Sequence, residues 1–142
     1  LWGVWGGGPT SGYAVGALGT VLHHDGAGWK AVASGTKTTL RAVWGSGPYD
    51  VYITGDGGQV RHFGGGSWKS IAPSGYKVKN GIGGHGARVM TVGLGGEILR
   101  YDGSKWSTMS SGTTFTLYDV WDGGSRQVAV GTLGTVLHRC GK

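Results

Sequence analysis

Apolar and polar positions alternate over short runs along the whole chain, and each run stops at glycine, aspartate or proline. The second quarter shows this most clearly, with LRAVWG at 40–45, DVYITG at 50–55, QVRHF at 59–63 and WKSIAP at 68–73. Runs of about four to six residues rich in β-branched and aromatic side chains are typical of strands bounded by turns. No window has the spacing and capping residues of an amphipathic helix. The pattern therefore predicts four short β-strands in succession.

The four-strand pattern recurs along the chain. One landmark is an apolar segment that starts at Leu1, Leu40, Val78 and Leu117, so that successive starts are 38 or 39 residues apart. A second landmark, Trp29, Trp68 and Trp106, has the same spacing. Because two independent landmarks give one period, the chain is an internal repeat. The predicted units are 1–39, 40–77, 78–116 and 117–142, and the last has no counterpart of the fourth-strand segment.

Four antiparallel strands in about 39 residues are the size of a β-propeller blade. A sheet this small cannot cover both of its faces, and stacking blades around an axis buries each face against a neighbour. We therefore predict an all-β fold, a β-propeller of four-stranded antiparallel blades in a single domain over 1–142. The unfinished fourth blade favours a section of a larger or oligomeric propeller of about six to eight blades. So does the close match of GALGTVLHHDG at 16–26 to GTLGTVLHRCG at 131–141.

Two columns of tryptophans recur at fixed places in the repeat. They are Trp5, Trp44 and Trp121 on the first strands, and Trp29, Trp68 and Trp106 on the fourth strands. We predict that these large rings fill the wedges between neighbouring blades. Ile82 takes the first-strand place in the third repeat in this alignment, which favours packing over recognition. The alternative is a stacking platform for a sugar or a base.

Other positions differ from one repeat to the next. Trp2, Arg41, Lys79 and Tyr118 occupy one column, and Asp119 lies in the next. Residues that every blade needs should repeat, whereas residues used at one place on an assembled surface need not. The varied column is therefore the predicted binding surface, and drift at solvated positions is the alternative reading.

Composition narrows the class of protein. The 33 glycines could indicate a linker, but 7 Trp and 6 Tyr supply the apolar mass of a folded core. The net charge of +6 is scattered through every repeat, which argues against nucleic acid as the partner. The single cysteine, Cys140, excludes an internal disulfide and leaves a plain thiol or an intermolecular bridge. No apolar run is long enough to predict a membrane span, and the first residues are not signal-like.

The sequence offers no catalytic arrangement. The only glutamate, Glu97, lies where the other repeats have Thr20, Gln59 and Thr135, so we expect an exposed strand residue. The aspartates lie mostly in turns beside glycine, where carboxylates cap backbone N–H groups. No spacing typical of a zinc or calcium site occurs. The sequence therefore predicts a protein that is not an enzyme and has no metal and no cofactor.

The segment WGSGPYDVYITGDGGQVRHFGGGSWKSIAPSG at 44–75 resembles the Trp-Gly-rich propeller repeats of bacterial surface and secreted proteins. It is similar to Asp-box repeats, the bacterial neuraminidase or BNR type, and to photosystem II assembly-factor propellers. In that family an aspartate in the turn between the third and fourth strands makes turn hydrogen bonds above a packed aromatic ring. The matching pairs here are Asp25 with Trp29 and Asp102 with Trp106, one residue closer together than in the family. Gly64 and Cys140 replace the aspartate in the other two repeats.

The resemblance implies that first strands lie nearest the axis and that their beginnings share the binding end with the loops between second and third strands. The expected function is a non-enzymatic structural or protein-interaction module whose partners are a protein or further copies of itself. The expected location is extracellular or on the cell surface. The alternative is a carbohydrate-binding propeller, lectin-like, with sites at blade junctions, for which Tyr13, Tyr49 and Tyr52 are available.

Overall fold

The computed structural model describes residues 1–72, 75 and 77–141. This part of the chain forms four antiparallel sheets, or blades, and contains no α-helix. Blade 1 consists of β1 (Gly3–Gly8), β2 (Ser11–Val15), β3 (Val21–His24) and β4 (Trp29–Val32). Blade 2 consists of β5 (Leu40–Gly47), β6 (Asp50–Gly55), β7 (Val60–Phe63) and β8 (Trp68–Ser70). Blade 3 consists of β9 (Lys79–His85), β10 (Arg88–Gly93), β11 (Ile98–Tyr101) and β12 (Trp106–Met109). Blade 4 consists of β13 (Leu117–Asp122), β14 (Arg126–Gly131) and β15 (Val136–Cys140).

Within each blade, every strand pairs with the next strand along the chain. A single turn of 3-10 helix joins the second strand to the third in all four blades. Blade 4 has three strands, so the predicted class and the unfinished last blade are both confirmed. β8 ends at Ser70, before the predicted end of its run, and Pro73 of that prediction lies outside the described residues.

The strand register corrects the alignment of the third repeat by one residue. Leu40 pairs with Gly55 and Leu117 pairs with Gly131, and the residue that takes this place opposite Gly93 is Lys79. Aligning Val78 with the leucines was wrong because the chain puts a lysine at a buried, otherwise apolar place. Every column assignment in β9 therefore moves by one residue.

The shift changes the first-strand tryptophan column. Ile82 pairs with Thr91, in the place where Val43 pairs with Ile53. Gly83, which pairs with Met90, takes the place of Trp44. The prediction that Ile82 replaces a tryptophan was therefore wrong, and blade 3 has no ring at this position.

The first strands β1, β5, β9 and β13 pack side by side in that order. The ring of Trp5 lies over Gly45, and a Cβ added to that glycine would be 2.9 Å from the ring. Trp44 lies over Gly84 in the same way, at 2.7 Å. A ring that packs on a glycine therefore fills the first two junctions, as the sequence predicted for these tryptophans.

The third junction is filled by an ion pair instead. Since Gly83 supplies no ring, the facing position in blade 4 accommodates Asp122 rather than glycine. The Arg88 guanidinium donates hydrogen bonds of 2.7 and 2.9 Å to the two carboxylate oxygens of Asp122, which is buried. Burial alone would raise the pKa of Asp122, but hydrogen bonds from Arg88, the Gly124 N–H and Gln127 lower it overall.

Candidate functional site

The first strands line a central groove of about 550 Å³. Trp2, Arg41, Tyr118 and Asp119 all line this groove. Four of the five predicted contact residues therefore share one surface, although they come from three different blades. This groove is the candidate binding site.

Asn80 is the third blade's contribution to the groove. With the corrected register it lies in the column of Arg41 and Tyr118, where the sequence alignment had placed Lys79. Its side-chain amide donates a hydrogen bond of 2.9 Å to the Leu117 carbonyl of the next blade. Asn80 is therefore held in place across a blade junction.

Lys79, the fifth predicted contact residue, lies outside the groove. Its side chain is fully buried and forms an ion pair with Glu97, whose side chain is 16% exposed. Burial, with Lys77 nearby, lowers the pKa of Lys79 to about 8. Glu97 is therefore not the exposed strand residue that we expected, because it is the partner of a buried ammonium group. Lys79 has a structural place and is removed from the candidate site.

The polar groups of the groove are oriented by their neighbours. Arg41 Nε donates a 2.6 Å hydrogen bond to Asp56 Oδ1 in the turn between β6 and β7. Asp119 Oδ1 accepts one of 2.9 Å from the Val120 N–H. The Arg41 contact brings the start of a first strand to the loop between second and third strands, as the family resemblance implies. The groove thus combines exposed Trp2 and Tyr118 with a cation, an amide and a carboxylate.

Two exposed leucines lie in these same loops, and sequence reasoning missed them. Leu18 and Leu133 have φ values of 54° and 55°, in the left-handed region, where blades 2 and 3 have Gly57 and Gly95. A side chain in this conformation costs about 1–2 kcal/mol, so leucine is a poor choice for the turn itself. The signal was a column that has leucine in the first and last blades and glycine in the middle two. Apolar groups held on strained backbone at the binding end are candidates for contact.

The predicted turn aspartates act as the resemblance implies. Asp25 Oδ1 accepts hydrogen bonds from the Ala27 and Gly28 N–H groups, at 3.0 and 3.2 Å. Asp102 Oδ1 accepts two of 2.9 Å, from Ser104 and Lys105. The Lys30 side chain and these N–H groups lower the pKa of Asp25, and backbone hydrogen bonds lower that of Asp102.

The fourth-strand tryptophans are in different environments. Trp68 is buried and meets Tyr13 of blade 1 edge-on, with ring centroids 5.9 Å apart. Trp106 Nε1 donates a 2.8 Å hydrogen bond to the Ile71 carbonyl of blade 2. Trp29, in the first blade, is half exposed. The prediction that these rings fill the wedges between blades therefore holds for Trp68 and Trp106, each of which packs against the preceding blade. Trp121 of the first-strand column is also exposed, and it lines the central groove.

A second cleft, of about 740 Å³, lies between blades 1 and 2. Tyr49 lines it and is 72% exposed, whereas Tyr13 and Tyr52 are buried. Tyr13 and Tyr52 instead stack on His23 and His62, with ring centroids 4.5 and 4.3 Å apart. Within the described residues, an exposed tyrosine of this kind therefore occurs at one blade junction and is not repeated at the others.

The described residues contain neither a cluster of metal ligands nor a membrane-spanning helix. No three potential histidine, cysteine, aspartate or glutamate ligands are grouped within this part of the chain. None of its helical segments has the length and apolarity needed to span a membrane.

Solved structures resemble the chain over nearly its full length. The computationally designed Ika8 protein matches 98% of this chain and 45% of its own, with a TM-score of 0.81 and 12% identity. The designed Ika4 protein matches 99% of this chain and 90% of its own, with a TM-score of 0.80 and 14% identity. YCF48 bound to a D1 peptide matches 91% of this chain and 46% of its own, with a TM-score of 0.70 and 19% identity. The fold is a β-propeller.

These likenesses establish the fold alone, because all are below 25% identity. YCF48 is a photosystem II assembly factor, so the resemblance to that class of propeller is confirmed at the level of fold. No protein-family model and no curated protein sequence matches the chain, and the Asp-box assignment stays a prediction. The chain spans about half the length of Ika8 and of YCF48.

Proposed function

We propose that the chain is a non-enzymatic protein-interaction module, a section of a larger or oligomeric propeller that binds a segment of a protein partner in its central groove. The observation that carries the proposal is the separation of repeated from varied residues. Most of the repeated side chains pack at blade junctions or are hydrogen-bonded within turns. Four varied side chains and Asn80 are collected on one groove.

The groove suits a polypeptide ligand. Trp2 and Tyr118 supply apolar area with few rotatable bonds, which keeps the entropy cost of binding low. Arg41, Asn80 and Asp119 are already oriented by hydrogen bonds, so less side-chain freedom is lost when a partner docks. YCF48, a propeller with the same fold, has been solved with a bound peptide, which supports a protein ligand.

The absence of catalysis belongs to the same proposal. No histidine, cysteine or serine lies among the described residues that line the groove. Its two carboxylates are already engaged, Asp119 by a backbone N–H and Asp122 by Arg88. A nucleophile paired with a base would need different residues. We further propose an extracellular or cell-surface location, as in the bacterial repeats that the sequence resembles.

Carbohydrate binding at the junction of blades 1 and 2 is the second candidate. The exposed Tyr49 ring lines that cleft with His23 and Asp25, and an aromatic face beside polar groups is a suitable platform for a sugar. Among the residues that the structure describes, one junction carries this arrangement, so the site would not be repeated in each blade.

The test is selection of binders from a phage-displayed random peptide library on the immobilised chain. Titration of an enriched synthetic peptide should give at least tenfold weaker binding to Trp2→Ala and Tyr118→Ala. The matched control is Tyr49→Ala, which also removes an exposed ring and should leave the affinity unchanged. Loss of peptide binding in the control alone would contradict the groove assignment. Glycan-array binding abolished by Tyr49→Ala and unaffected by Tyr118→Ala would establish the carbohydrate alternative instead.

A further inference from the structure

The cleft between blades 1 and 2 has a polar side chain without a partner in its wall. Ser11 lines this cleft and is 7% exposed, and it lies on the same face of β2 as Tyr13. Its Oγ atom is buried and makes no hydrogen bond within the part of the chain that the structure describes. An unpaired buried hydroxyl is unfavourable, so Ser11 indicates a place that a bound group completes.

Blade 2 shows which group satisfies this place in the repeat. Asp50 is the counterpart of Ser11, because each begins the second strand of its blade, two residues before a buried tyrosine. The Asp50 carboxylate forms a 2.7 Å hydrogen bond with Nε2 of His62, and it accepts another from the Ser46 hydroxyl. At this place in blade 2 a carboxylate is therefore the partner of a histidine.

Blade 1 has the same histidine without that carboxylate. His23 pairs with Tyr13 across β2 and β3, as His62 pairs with Tyr52 across β6 and β7. The rings stack at centroid distances of 4.5 and 4.3 Å, with interplanar angles of 24° and 19°. The two histidines are thus held in nearly the same way. Because the serine is shorter than an aspartate and carries no charge, blade 1 keeps the histidine and lacks the anion.

The rest of the cleft wall is mostly apolar. Val32, Pro48, Phe63 and Trp68 line it, together with the ring of Tyr49. Its volume of about 740 Å³ is in the range of small-molecule sites, which are mainly apolar with a few polar groups that fix the orientation of the ligand. This wall favours an apolar or aromatic ligand over the sugar considered above.

The chain's own acid in this cleft does not replace the missing carboxylate. Among the described residues that line the cleft, Asp25 is the only one with a carboxylate. That group is already bound by the Lys30 ammonium group and by the N–H groups of Ala27 and Gly28. Asp25 therefore contributes little uncompensated negative charge, and the place beside Ser11 is left for an anion from outside.

We propose that this cleft binds a small aromatic or aliphatic carboxylate, whose charged group accepts hydrogen bonds from Ser11 and His23. The apolar body of the ligand packs against the rings of Tyr49 and Phe63. The ligand then supplies the carboxylate that Asp50 supplies in blade 2. The inference goes beyond the proposed function, because none of the described residues that line this cleft also lines the central groove.

Isothermal titration calorimetry of the 142-residue chain with 3-phenylpropionate, indole-3-acetate and octanoate tests the proposal. At least one acid should bind with a dissociation constant below about 1 mM. The neutral amide of that acid should bind at least about tenfold more weakly, because hydrogen bonds to an ionised acceptor are the stronger ones. Equal binding of acid and amide would overturn the proposal, and so would a failure of all three acids to bind.

Ser11→Asp tests the place of the carboxylate. Blade 2 already uses aspartate there, so the variant should fold, and its new carboxylate should bind His23 in place of the ligand. We expect binding of the acid to weaken at least about tenfold. Near-ultraviolet circular dichroism identical to that of the wild type verifies the fold. An unchanged affinity of Ser11→Asp for the acid would overturn the proposal.

A pair of histidine variants tests the second donor. His23→Phe keeps a ring on Tyr13 and removes the hydrogen-bond donor, so the acid should bind at least about tenfold more weakly. The matched control is His138→Phe, in the same column of blade 4, which should leave the affinity unchanged. Equal losses in the two variants would overturn the site. Any of these failures would leave the binding of a peptide in the central groove standing.

Discussion

The buried pair Lys79 and Glu97 gives the sharpest test of the packing argument. Lys79 occupies a place that Leu40 and Leu117 fill with no exposed surface, and Glu97 lies in the column of Thr20 and Thr135. Both threonines donate a hydrogen bond of 2.7 Å to a carbonyl in the preceding turn. The double substitution Lys79→Leu with Glu97→Thr therefore installs residues that other blades already use at these two places.

The magnitude follows from burial. A leucine at position 79 should be fully buried, and burying one contributes about 1.5–3 kcal/mol. Replacing a buried ion pair by well-packed apolar groups is commonly neutral or stabilising by about 1–4 kcal/mol. We expect the double variant to be more stable than the wild type by about 1–4 kcal/mol. Glu97→Thr alone should cost about 3–5 kcal/mol at pH 7, because it removes the carboxylate partner from a buried ammonium group.

Urea unfolding followed by tryptophan fluorescence at pH 7 measures these differences. The pH dependence of the free energy of unfolding is an independent test of the same pair. The pKa of Lys79 in the folded chain, about 8, is below its ordinary value of 10.5, so the folded state loses the proton first. The destabilisation caused by burying the charged Lys79 ammonium group is fully present below pH 8, and it is relieved as the pH rises towards 10.5. The advantage of the double variant should therefore shrink over that range. A double variant less stable than the wild type, or a Glu97→Thr variant of unchanged stability, would refute the reasoning.

Three further features of the structure are tested by substitution. Gly45→Ala should cost about 1–3 kcal/mol in urea unfolding, because its Cβ would be 2.9 Å from the Trp5 ring, while Gly66→Ala, whose Cβ would have no atom within 4 Å, should be near neutral. Asp122→Asn should weaken the decline in stability on acidification. The pKa of Asp122 is lowered in the folded chain, so the ionised carboxylate stabilises the wild type fully above the ordinary aspartate value of about 3.9. This stabilisation is lost as the pH falls through the folded pKa. An equal decline between pH 5 and 2 in both proteins would contradict the assigned ion pair. Leu133→Gly should raise the melting temperature, because glycine adopts φ of 55° without the cost that leucine bears, and a lower value would assign the leucine a stabilising contact.

The repeat period and strand pattern were sufficient to predict the blades, because each strand is a short apolar run and each turn carries glycine or aspartate. The third repeat shows the limit of that reasoning. Hydrophobicity placed Val78 with the leucines, since the compensating partner of Lys79, Glu97, is eighteen residues further along the chain. A charge buried against a distant opposite charge has no local signature. For the same reason, sequence reasoning assigned to Lys79 a surface role that the structure gives to Asn80.

At the blade junctions too, some features could be predicted from the sequence and others could not. The recurrence of Trp5 and Trp44 identified them as packing residues, but the glycines beneath them, Gly45 and Gly84, are recognisable only from the folded blades. The replacement of ring and glycine by Arg88 and Asp122 depends on two strands 34 residues apart. The groove was predicted in part, because variation among repeats selects surface positions without showing that they converge.

Hydrogen exchange with mass spectrometry, on the chain with and without a library-selected peptide, tests the central claim most directly. The account predicts added protection in the parts of β5, β9 and β13 that line the groove, around residues 41–44, 80–84 and 118–121. Protection confined to the cleft between blades 1 and 2, around residues 7–13 and 48–49, would contradict it and place the binding surface at the blade junction.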